Sequence, residues 1–344
     1  MRILAITNLY PTRESPTSGP WVKQQIGGLR DLGLNVKILY VDRIRGGMRE
    51  YFRLAPRLKK ACVGFSPDIV HCLYGGVMAS IVTRTVLDRP TVVSFCGSDV
   101  LGELLSGPIR KVISYVGTMA SCDAAKRANG VVVKSLNLQN ALPRSVLRSK
   151  IRIIPNGVDL NRFQPLDQEQ CRKQLGWDNE RLHVLFPANN GDPLKRFGLA
   201  ISAIDACKRM GFNAELHELK GIPHPEVPIW MNASDVVLLT SLHEGSPNVV
   251  KEAHACNVPV VSVDVGDVRE RIASISGCYL ALPTPMDLAT QLQRVHLGPR
   301  RIAGRTAVQQ ISLLEVARRL RNFYAELLES RSLTLEEIGL DDSC

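Results

Sequence analysis

The sequence predicts an α/β protein of two doubly wound parallel-sheet domains. A chain of 344 residues, 45% of them apolar, is too long for one ordinary core and fits two. Short apolar runs of the buried-strand type alternate with helical patterns along the chain, which is typical of parallel sheets covered by helices. Pro155, Asn156 and Gly157 form a turn signal near the middle. We expect the chain to pass from one domain to the other there.

The order of the predicted elements supports this fold class. The first half contains apolar runs at 2–7, 35–41, 68–73, 91–95, 131–133 and 151–154, with helical patterns between them, the first at 21–32. The second half repeats the pattern with strands at 182–186, 214–219, 235–240 and 258–263, and a helix at 195–210. A long amphipathic helix is predicted over 312–329, with Ser312 as its cap. Because helices separate the strands, both sheets are predicted to be parallel.

Charge is distributed unevenly along the chain. The net charge is +10 overall, but residues 1–150 carry +13 (22 basic, 9 acidic) and residues 151–344 carry −3 (21 basic, 24 acidic). A basic surface suits nucleic acid, an anionic membrane or an acidic substrate, and charge alone does not choose among them. Aromatic residues form only 5% of the chain, which argues against single-strand nucleic-acid binding. We therefore expect no nucleic-acid partner.

Neither a membrane span nor a signal peptide is predicted. No apolar run approaches the roughly 18 residues that a span requires, and the apolar run after Met1 is too short for a signal peptide. The nine cysteines include no Cys-x-x-Cys pair, and several, such as Cys72 and Cys256, lie in apolar segments. These features predict reduced core thiols, without disulfides or zinc ligands, in a cytoplasmic protein.

Residues 241–265 hold the strongest signal for function. Glu244 and Glu252 lie on either side of a predicted turn that joins a strand to a helix. Ser246 is predicted to cap this helix and Pro247 to lie in its first turn. Free amides at the helix start could bind an anion or sugar hydroxyls, and Glu244 follows a parallel strand, where ligands bind. The alternative is a surface turn followed by a charged helix face.

The order of residues in this stretch resembles a known donor-site signature. From Glu244 to Val261 it reads Glu-Gly-x-Pro-Asn-x-x-x-Glu-Ala-x-Ala-Cys-x-x-Pro-Val-Val. This is similar to the retaining glycosyltransferases of family 4, which have the GT-B fold. Within that family it resembles the teichuronic-acid-type enzymes of bacterial surface polysaccharide synthesis. Residues 154–159 and 232–235 match further landmarks, so the resemblance covers nearly the whole chain.

The resemblance implies an architecture as well as an activity. It implies two Rossmann-like domains that face a cleft, with a C-terminal helix that crosses back to the first domain. The domains would be an acceptor-binding domain at 1–155 and a nucleotide-sugar donor-binding domain at 156–311. The crossover helix would occupy 312–330, and an acidic tail would follow at 331–344.

The resemblance also implies which residues hold the donor. Glu252 would bind the ribose hydroxyls and Glu244 would orient the transferred sugar. Lys195 would stabilise the departing diphosphate, which makes Lys195 and Glu244 candidate catalytic residues. Further donor contacts are expected at the motif helix, in the first glycine-bearing loop and in the linker: Ser246, Pro247, Asn248, Val249, Gly19 and Asn156.

One departure from the family pattern affects the diphosphate site. The family usually places an Arg five or six residues before its Lys, and here those positions hold Asn190 and Asn189. Lys195 is present and Arg196 follows it. We therefore expect Lys195, with help from Arg196 and hydrogen bonds from the two amides, to carry the diphosphate charge.

A loop in the first half resembles the acceptor side of the family. Cys96, Gly97 and Asp99 match a His-Gly-x-Asp loop, with Cys96 in the place of the histidine. In the family this loop lines the cleft beside the anomeric carbon, so these three residues are expected at the acceptor, with Asp99 a candidate catalytic residue. Asp99 could instead cap the turn. His71, at a predicted strand end, could face the acceptor or be a hydrogen-bonded core residue.

The segment 43–60 is strongly basic. Its only acid is Glu50, and the aromatic and apolar residues Tyr51, Phe52 and Leu54 lie between its cations. Such a segment could lie on an anionic membrane, where each cation contributes about 1 kcal/mol, or be a solvated helix face. The seven cations are Arg43, Arg45, Arg49, Arg53, Arg57, Lys59 and Lys60.

Together these features predict a retaining glycosyltransferase. It would move a sugar from a nucleotide-sugar donor to a saccharide acceptor, expected to be lipid-linked, in bacterial cell-surface polysaccharide synthesis. The sequence has no Asp-x-Asp motif, so neither a metal nor another cofactor is expected. Both glutamates are expected to be ionised. The alternatives are a nucleotide-sugar epimerase of the same architecture and a non-catalytic relative that binds a sugar nucleotide or a membrane.

Overall fold

The chain divides into two units in the computed structural model. The structure describes residues 1–12, 15, 18–102, 107–187 and 191–337, with side chains to residue 333. The first unit contains Met1–Gly157 together with Leu313–Cys344, and the second contains Val158–Ser312.

The first unit is built on six parallel strands. In sheet order they are β2-β1-β3-β4-β5-β6. Their bounds are β1 Arg2–Thr7, β2 Asn35–Tyr40, β3 Ile69–Cys72, β4 Thr91–Phe95, β5 Gly130–Val133 and β6 Ile151–Ile153. Helices connect them: α1 Pro20–Asp31, α2 Arg43–Gly46, α3 Arg49–Phe65, α4 Gly76–Thr85, α5 Ser98–Leu101, α6 Pro108–Arg127 and α7 Leu136–Ala141.

The second unit has a five-stranded parallel sheet in the order β11-β10-β9-β7-β8. The strands are β7 Leu182–Phe186, β8 Ala214–Glu218, β9 Val236–Leu239, β10 Val260–Val263 and β11 Tyr279–Ala281. Its helices are α8 Gln168–Leu175, α9 Phe197–Arg209, α10 Val227–Ala233, α11 Asn248–Ala255, α12 Val268–Ile272, α13 Pro285–Leu297 and α14 Gly304–Val308. The last helix, α15, covers Leu313–Glu337.

The central strands are apolar because helices cover both of their faces. All residues of β3, β4, β5, β7, β9 and β10 are buried, as expected for parallel strands. In the first unit α1 connects β1 to β2, toward one edge of the sheet. The connections that contain α3, α4 and α6 run toward the other edge. Right-handed crossovers therefore place α1 on one face and those three helices on the other. Here α4 packs against both α3 and α6.

The last helix packs on the first unit, on the side of α1. A Cβ added at Gly28 of α1 would lie 3.1 Å from the Ala317 side chain, and one at Gly130 would lie 2.7 Å from the ring of Phe323. Small residues at these two positions let α15 approach closely. The predicted fold class is confirmed, including a C-terminal helix that returns to the first unit.

The sequence predicted element positions better than element ends. All ten predicted strands are present, with ends that differ by at most two residues. The eleventh strand, Tyr279–Ala281, was not predicted. The last helix continues to residue 337, past the predicted end at 329 and into the segment predicted as an acidic tail.

Candidate active site

The predicted donor-site residues of the second unit come together on two neighbouring loops. One loop follows β7 and the other follows β9, and these strands are adjacent in the sheet. The Leu242 amide donates to the Leu194 carbonyl at 2.8 Å, and the Thr240 hydroxyl donates to the Lys195 carbonyl at 2.6 Å. The two loops are therefore held together at the carboxyl ends of their strands, where parallel sheets bind ligands.

An ion pair joins these loops. Lys195 Nζ lies 2.5 Å from Glu244 Oε1, and the side chains of Lys195 and Glu244 are 31% and 16% exposed. The Ser241 hydroxyl donates to the same carboxylate oxygen at 2.8 Å. The Ser241 hydroxyl thus orients the pair. Both side chains remain partly exposed, so a charged ligand can reach the Lys195 ammonium.

The chain around Lys195 differs from the prediction. A 3-10 turn covers Pro193–Lys195, and α9 begins only at Phe197. Arg196, between them, has a left-handed backbone with φ of 49°. The Asp192 carboxylate accepts from the Leu194 amide at 3.0 Å and so caps the 3-10 turn. The helix predicted at 195–210 is present, but it starts two residues later because this capped turn precedes it.

Arg196 makes backbone contacts that the sequence did not predict, and its help with the diphosphate charge stays a prediction. Its guanidinium donates through Nε to the Thr240 carbonyl and through Nη2 to the Ser241 carbonyl, the latter at 3.0 Å. These bonds fix the end of the β9 strand and the start of the motif loop. Arg196 therefore positions the loop that carries Glu244, and its Nε and Nη2 groups are engaged by backbone.

The motif helix begins one residue later than predicted. It starts at Asn248, with Pro247 just before it and no side-chain cap. Ser246 instead donates to Asp267 Oδ2 at 2.8 Å, and Arg271 pairs with the same carboxylate at 2.8 Å. A charged acceptor from a distant segment competes successfully with the helix amides for the Ser246 hydroxyl. The predicted cap at Ser246 was therefore wrong.

The start of α11 keeps features of a binding site. Asn248 is its first residue and Val249 its second, so their amides lie in the turn that has no intrahelical acceptors. The Asn248 Oδ1 atom is buried and has no hydrogen-bond partner within the described part of the chain. A ligand hydroxyl could satisfy this acceptor.

Gly266 supports the motif loop from the strand that follows. Its φ is 61°, and a Cβ there would lie 3.0 Å from the Gly245 carbonyl oxygen and 3.2 Å from Glu244 Cβ. Only glycine allows both the left-handed backbone and this close approach. Gly266 lies in the loop after β10, where a glycine is a usable sequence signal for a turn.

Glu252 lies on the side of α11, partly buried. Burial raises the pKa of its carboxyl from 4.5 to about 7, against the charges of Lys251 and Arg162, which lower it. The expectation that Glu252 is ionised when it acts on the donor stays a prediction. Near pH 7 the carboxyl is close to its midpoint, and a bound cation or hydroxyl donors would favour the ionised form.

Asp99 organises the acceptor-side loop through its carboxylate. The carboxylate is buried and accepts from the amides of Cys96 at 3.0 Å, Gly97 at 2.8 Å and Gly75 at 2.9 Å. Of the two predicted roles, that of a turn cap is the one observed. Three amides donate to the carboxylate, and that of Cys96 is shared between its two oxygens. The assignment of Asp99 as a catalytic or acceptor-binding side chain stays a prediction.

His71 is a core residue and not an acceptor contact. It is 1% exposed, with Nδ1 at 2.5 Å from the Tyr324 hydroxyl and Nε2 at 2.8 Å from the Ser94 hydroxyl. Burial, reinforced by the charge of Lys134, lowers its pKa to about 3. The imidazole is neutral and links β3, β4 and α15.

The remaining predicted residues are placed as follows. Cys96 is half-buried and Gly97 buried in the loop after β4, and Gly19 precedes α1 with φ of 57°. Asn156 is buried beyond β6, in the first unit. Asn189 and Asn190 lie outside the described residues.

One group of side chains in the second unit has the composition of a metal site. His183, Glu215 and His217 have ligand atoms within 4.8 Å of one another. His183 Nδ1 is 2.8 Å from His217 Nε2, and Glu215 is paired with Arg181 at 2.8 Å. Hydrogen bonds and an ion pair within the protein thus already engage these groups. They lie on β7 and β8, away from the Lys195–Glu244 pair, and the predicted independence from metal stays a prediction.

Comparison with known proteins places this geometry in a family. Residues 25–162 match the family model described as Glycosyltransferase Family 4, and residues 202–296 match the model described as Glycosyl transferases group 1. The teichuronic acid biosynthesis glycosyltransferase TuaC of Bacillus subtilis is 25% identical to this chain, over 78% of it and 82% of TuaC.

Solved structures share the fold. Sucrose-phosphate synthase of Thermosynechococcus elongatus superposes with a TM-score of 0.80 at 16% identity, over 96% of this chain and 99% of that one. HepE of Anabaena, solved with UDP-glucose, has a TM-score of 0.63 at 18% identity, over 96% and 99%. UDP-GlcNAc 2-epimerase of Methanocaldococcus jannaschii has a TM-score of 0.57 at 12% identity, over 95% and 100%.

The fold alone does not separate transferase from epimerase, because both superpose. The family models and TuaC do separate them, and they identify a transferase. The protein is thus a glycosyltransferase of the GT-B type. It belongs to glycosyltransferase family 4 and is similar to the teichuronic acid enzymes.

Proposed function

We propose that this enzyme transfers a sugar, with retention of anomeric configuration, from a nucleoside-diphosphate sugar bound by the second unit to a saccharide acceptor bound by the first. The observation that carries the proposal is the Lys195–Glu244 pair at the carboxyl ends of β7 and β9. A partly exposed ammonium at this edge of the sheet suits a diphosphate leaving group. The chemistry needs such a charge because the leaving diphosphate oxygen takes both electrons of the broken bond to the sugar and gains a negative charge.

Each group around the pair has a defined task in this proposal. Lys195 Nζ binds the diphosphate oxygens and stabilises their charge as they depart. Glu244, held by the Ser241 hydroxyl, accepts hydrogen bonds from the transferred sugar. Glu252, on the side of α11, accepts hydrogen bonds from the two ribose hydroxyls. The amides of Asn248 and Val249 add donors at the helix start, where the macrodipole favours an anion.

A nucleotide screen tests the donor half of the proposal. The UDP-glucose complex of HepE makes uridine nucleotides the first candidates. Thermal unfolding would be followed with UDP-, GDP-, ADP- and TDP-sugars, for the native chain and for Glu252→Ala. A ligand at a hundredfold excess over its Kd adds about 2.7 kcal/mol to the free energy of unfolding. Stabilisation by one nucleotide class, lost in the variant, supports the site; no response to any class contradicts it.

Product analysis tests the reaction itself. Incubation with the donor alone should release little free sugar and no epimer, whereas addition of the acceptor should give a glycoside with the anomeric configuration of the donor. Nuclear magnetic resonance of the anomeric proton measures this configuration. An inverted product would contradict retention, and a C2 epimer formed without acceptor would favour the epimerase alternative.

We also propose that the acceptor is lipid-linked and that the first unit works at an anionic membrane, as in bacterial surface polysaccharide synthesis. No helix in the described parts of the chain is both long and apolar enough to cross a bilayer. Helix α6 nevertheless exposes a run of large apolar side chains. Six of them are between 51% and 76% exposed: Ile109, Val112, Ile113, Tyr115, Val116 and Met119.

The basic segment contributes to this surface differently from the prediction. Tyr51 and Leu54 face the core, and Arg57 pairs with Glu50 at 2.5 Å. Phe52 is 81% exposed, and Arg49 and Arg53 remain on the surface. Because α4 packs against both α3 and α6, these cations and the apolar helix lie on one face of the sheet. Cations and exposed apolar side chains on the same face of a protein fit an anionic lipid interface.

Vesicle sedimentation tests the membrane proposal. The native chain should bind vesicles that contain phosphatidylglycerol and not vesicles of phosphatidylcholine alone. Val112→Ser with Val116→Ser should release it, whereas Leu297→Ser, a matched change at a 79% exposed leucine of α13, should not. Full retention of the double variant would contradict the proposal. Dissociation of a dimer by the same changes would assign the face to a second copy instead.

A further inference from the structure

Lys134 is a buried cation that the proposed transfer does not use. It follows β5 directly and is 1% exposed. Its Nζ has no hydrogen-bond partner among the residues the structure describes. Burial lowers the pKa of this amine, while the charges of Cys96 and Asp99 raise it. A buried ammonium without hydrogen bonds is strongly unfavourable, and such a group requires an explanation.

Asp99 does not supply the missing hydrogen-bond acceptor. Its two carboxylate oxygens already accept from the amides of Gly75, Cys96 and Gly97, at 2.8–3.1 Å. The carboxylate can compensate part of the charge of Lys134 through space. The three donor directions of the ammonium are left for something else.

The first turn of α1 lies beside Lys134. Its Nζ is 5.8 Å from the centroid of the Trp21 ring, and Trp21 is the second residue of the helix. The turn has Gly19 as its N-cap, no side-chain cap and no acidic residue. The positive end of the helix dipole is therefore uncompensated next to a buried cation, an arrangement that attracts an anion.

Two more buried polar side chains flank this turn without partners in the described residues. Both polar atoms of the Gln25 amide, one turn beyond Trp21, are unsatisfied, as is Asn8 Oδ1 directly after β1. The loop that carries Asn8 touches the helix start, since a Cβ at Gly19 would lie 2.7 Å from the Leu9 carbonyl. Three elements thus bring unsatisfied polar groups to the carboxyl edge of the first sheet, where ligands bind.

We propose that Lys134, with the start of α1, binds an oxyanion carried by the acceptor, either a phosphate or a sugar carboxylate. The assignment of this oxyanion to the acceptor rests on the proposed function; the binding of an anion does not. The excess positive charge of residues 1–150 favours such a ligand. The residues of this site belong to the first unit, whereas Lys195, proposed for the donor diphosphate, belongs to the second.

Calorimetry with simple anions tests the site. The Lys195→Ala variant, which lacks the donor-side cation, would be titrated with pyrophosphate, inorganic phosphate and glucuronate. At least one of these should bind. Adding Lys134→Met should weaken that binding by about tenfold or more, the loss expected for charge-assisted hydrogen bonds. The anion that responds distinguishes a phosphate from a carboxylate source.

Two controls keep the result interpretable. Adding Lys23→Met, a change of an exposed lysine on α1, should leave anion binding as it was. Lys134→Met in the native chain should keep or raise the Tm, since an apolar side chain replaces an unsatisfied cation. Absence of anion binding, equal binding in both double variants, or a lowered Tm would overturn the proposal. Equal weakening of nucleotide-sugar binding by Lys134→Met would assign the anion to the donor and overturn it as well.

Discussion

Lys195 Nζ and Glu244 Oε1 lie 2.5 Å apart, on loops that follow two adjacent strands of the second unit. The hydroxyl of Ser241 and the backbone bonds of Arg196 hold this geometry. Because both side chains are partly exposed, the pair contributes little to stability, within about 1 kcal/mol. We therefore expect the ion pair to act in ligand binding and catalysis.

Loss of the ammonium should slow transfer. Lys195→Ala removes the charge that we propose stabilises the departing diphosphate, and we expect kcat to fall by about 10²–10³-fold at saturating donor. Lys208→Ala, at an exposed lysine of α9, is the matched control and should leave kcat unchanged. Initial rates of product formation measure both. A kcat in Lys195→Ala equal to that of the control would remove Lys195 from the site.

Donor binding should depend on the ionisation of Glu252. With a pKa of about 7 in the chain without donor, the carboxyl is mostly protonated at pH 6 and mostly ionised at pH 8. Ribose hydroxyls donate better to the ionised form, so the donor Kd should fall as pH rises across this range. In Glu252→Gln this dependence should disappear. Calorimetry at both pH values measures it, and the same pH slope in the variant would contradict the assignment.

The same group should affect stability in the opposite direction. Its folded pKa of about 7 lies above its ordinary value of 4.5, so the folded chain keeps a proton that the unfolded chain loses. The free energy of unfolding should therefore decrease as pH rises from about 4.5 to about 7 through this group. Glu252→Gln should have a higher Tm than the native chain at pH 8 and a similar Tm at pH 4.5. A lower Tm at pH 8 would show that the ionised carboxylate is stabilising.

The His71–Tyr324 bond should matter for folding and not for donor binding. Tyr324→Phe leaves a buried imidazole nitrogen without its partner, at a cost of about 1–3 kcal/mol in the free energy of unfolding. Tyr115→Phe, at a 66% exposed tyrosine of the same unit, should cost close to nothing. Denaturant unfolding gives the free energies, and calorimetry should give the native nucleotide-sugar affinity for both. Equal stability of the two variants would contradict the observed network.

Gly266 should be required for the shape of the motif loop. Gly266→Ala strains a left-handed backbone by about 1–3 kcal/mol and pushes on the Gly245 carbonyl at 3.0 Å. Gly211→Ala strains a similar backbone, with φ of 86°, but its Cβ would meet nothing within 4 Å. Both should lower the Tm, and only Gly266→Ala should weaken nucleotide-sugar binding. Equal donor affinity in the two variants would show that the loop tolerates the displacement.

Local patterns in the sequence were enough to predict the fold class and the elements that carry the candidate donor site. Strand runs of consecutive apolar residues, and a helix after each, follow directly from burial on both faces. The motif from Glu244 to Glu252 predicted two carboxylates at a junction of strand, turn and helix, and the structure contains this junction. Such signals depend on residues close together in the sequence, so they can be recognised without knowledge of the tertiary contacts.

The tertiary structure decided which partner each polar side chain takes. Ser246 donates to Asp267 and does not cap its own helix, and Arg196 donates to backbone carbonyls. The side chains of Asp99 and His71 form hydrogen bonds with other groups of the first unit. Each of these partners lies on another segment, so spacing along the chain could not reveal it. A hydrogen bond is chosen by geometry and burial in three dimensions, whereas the sequence specifies only which groups are available to form it.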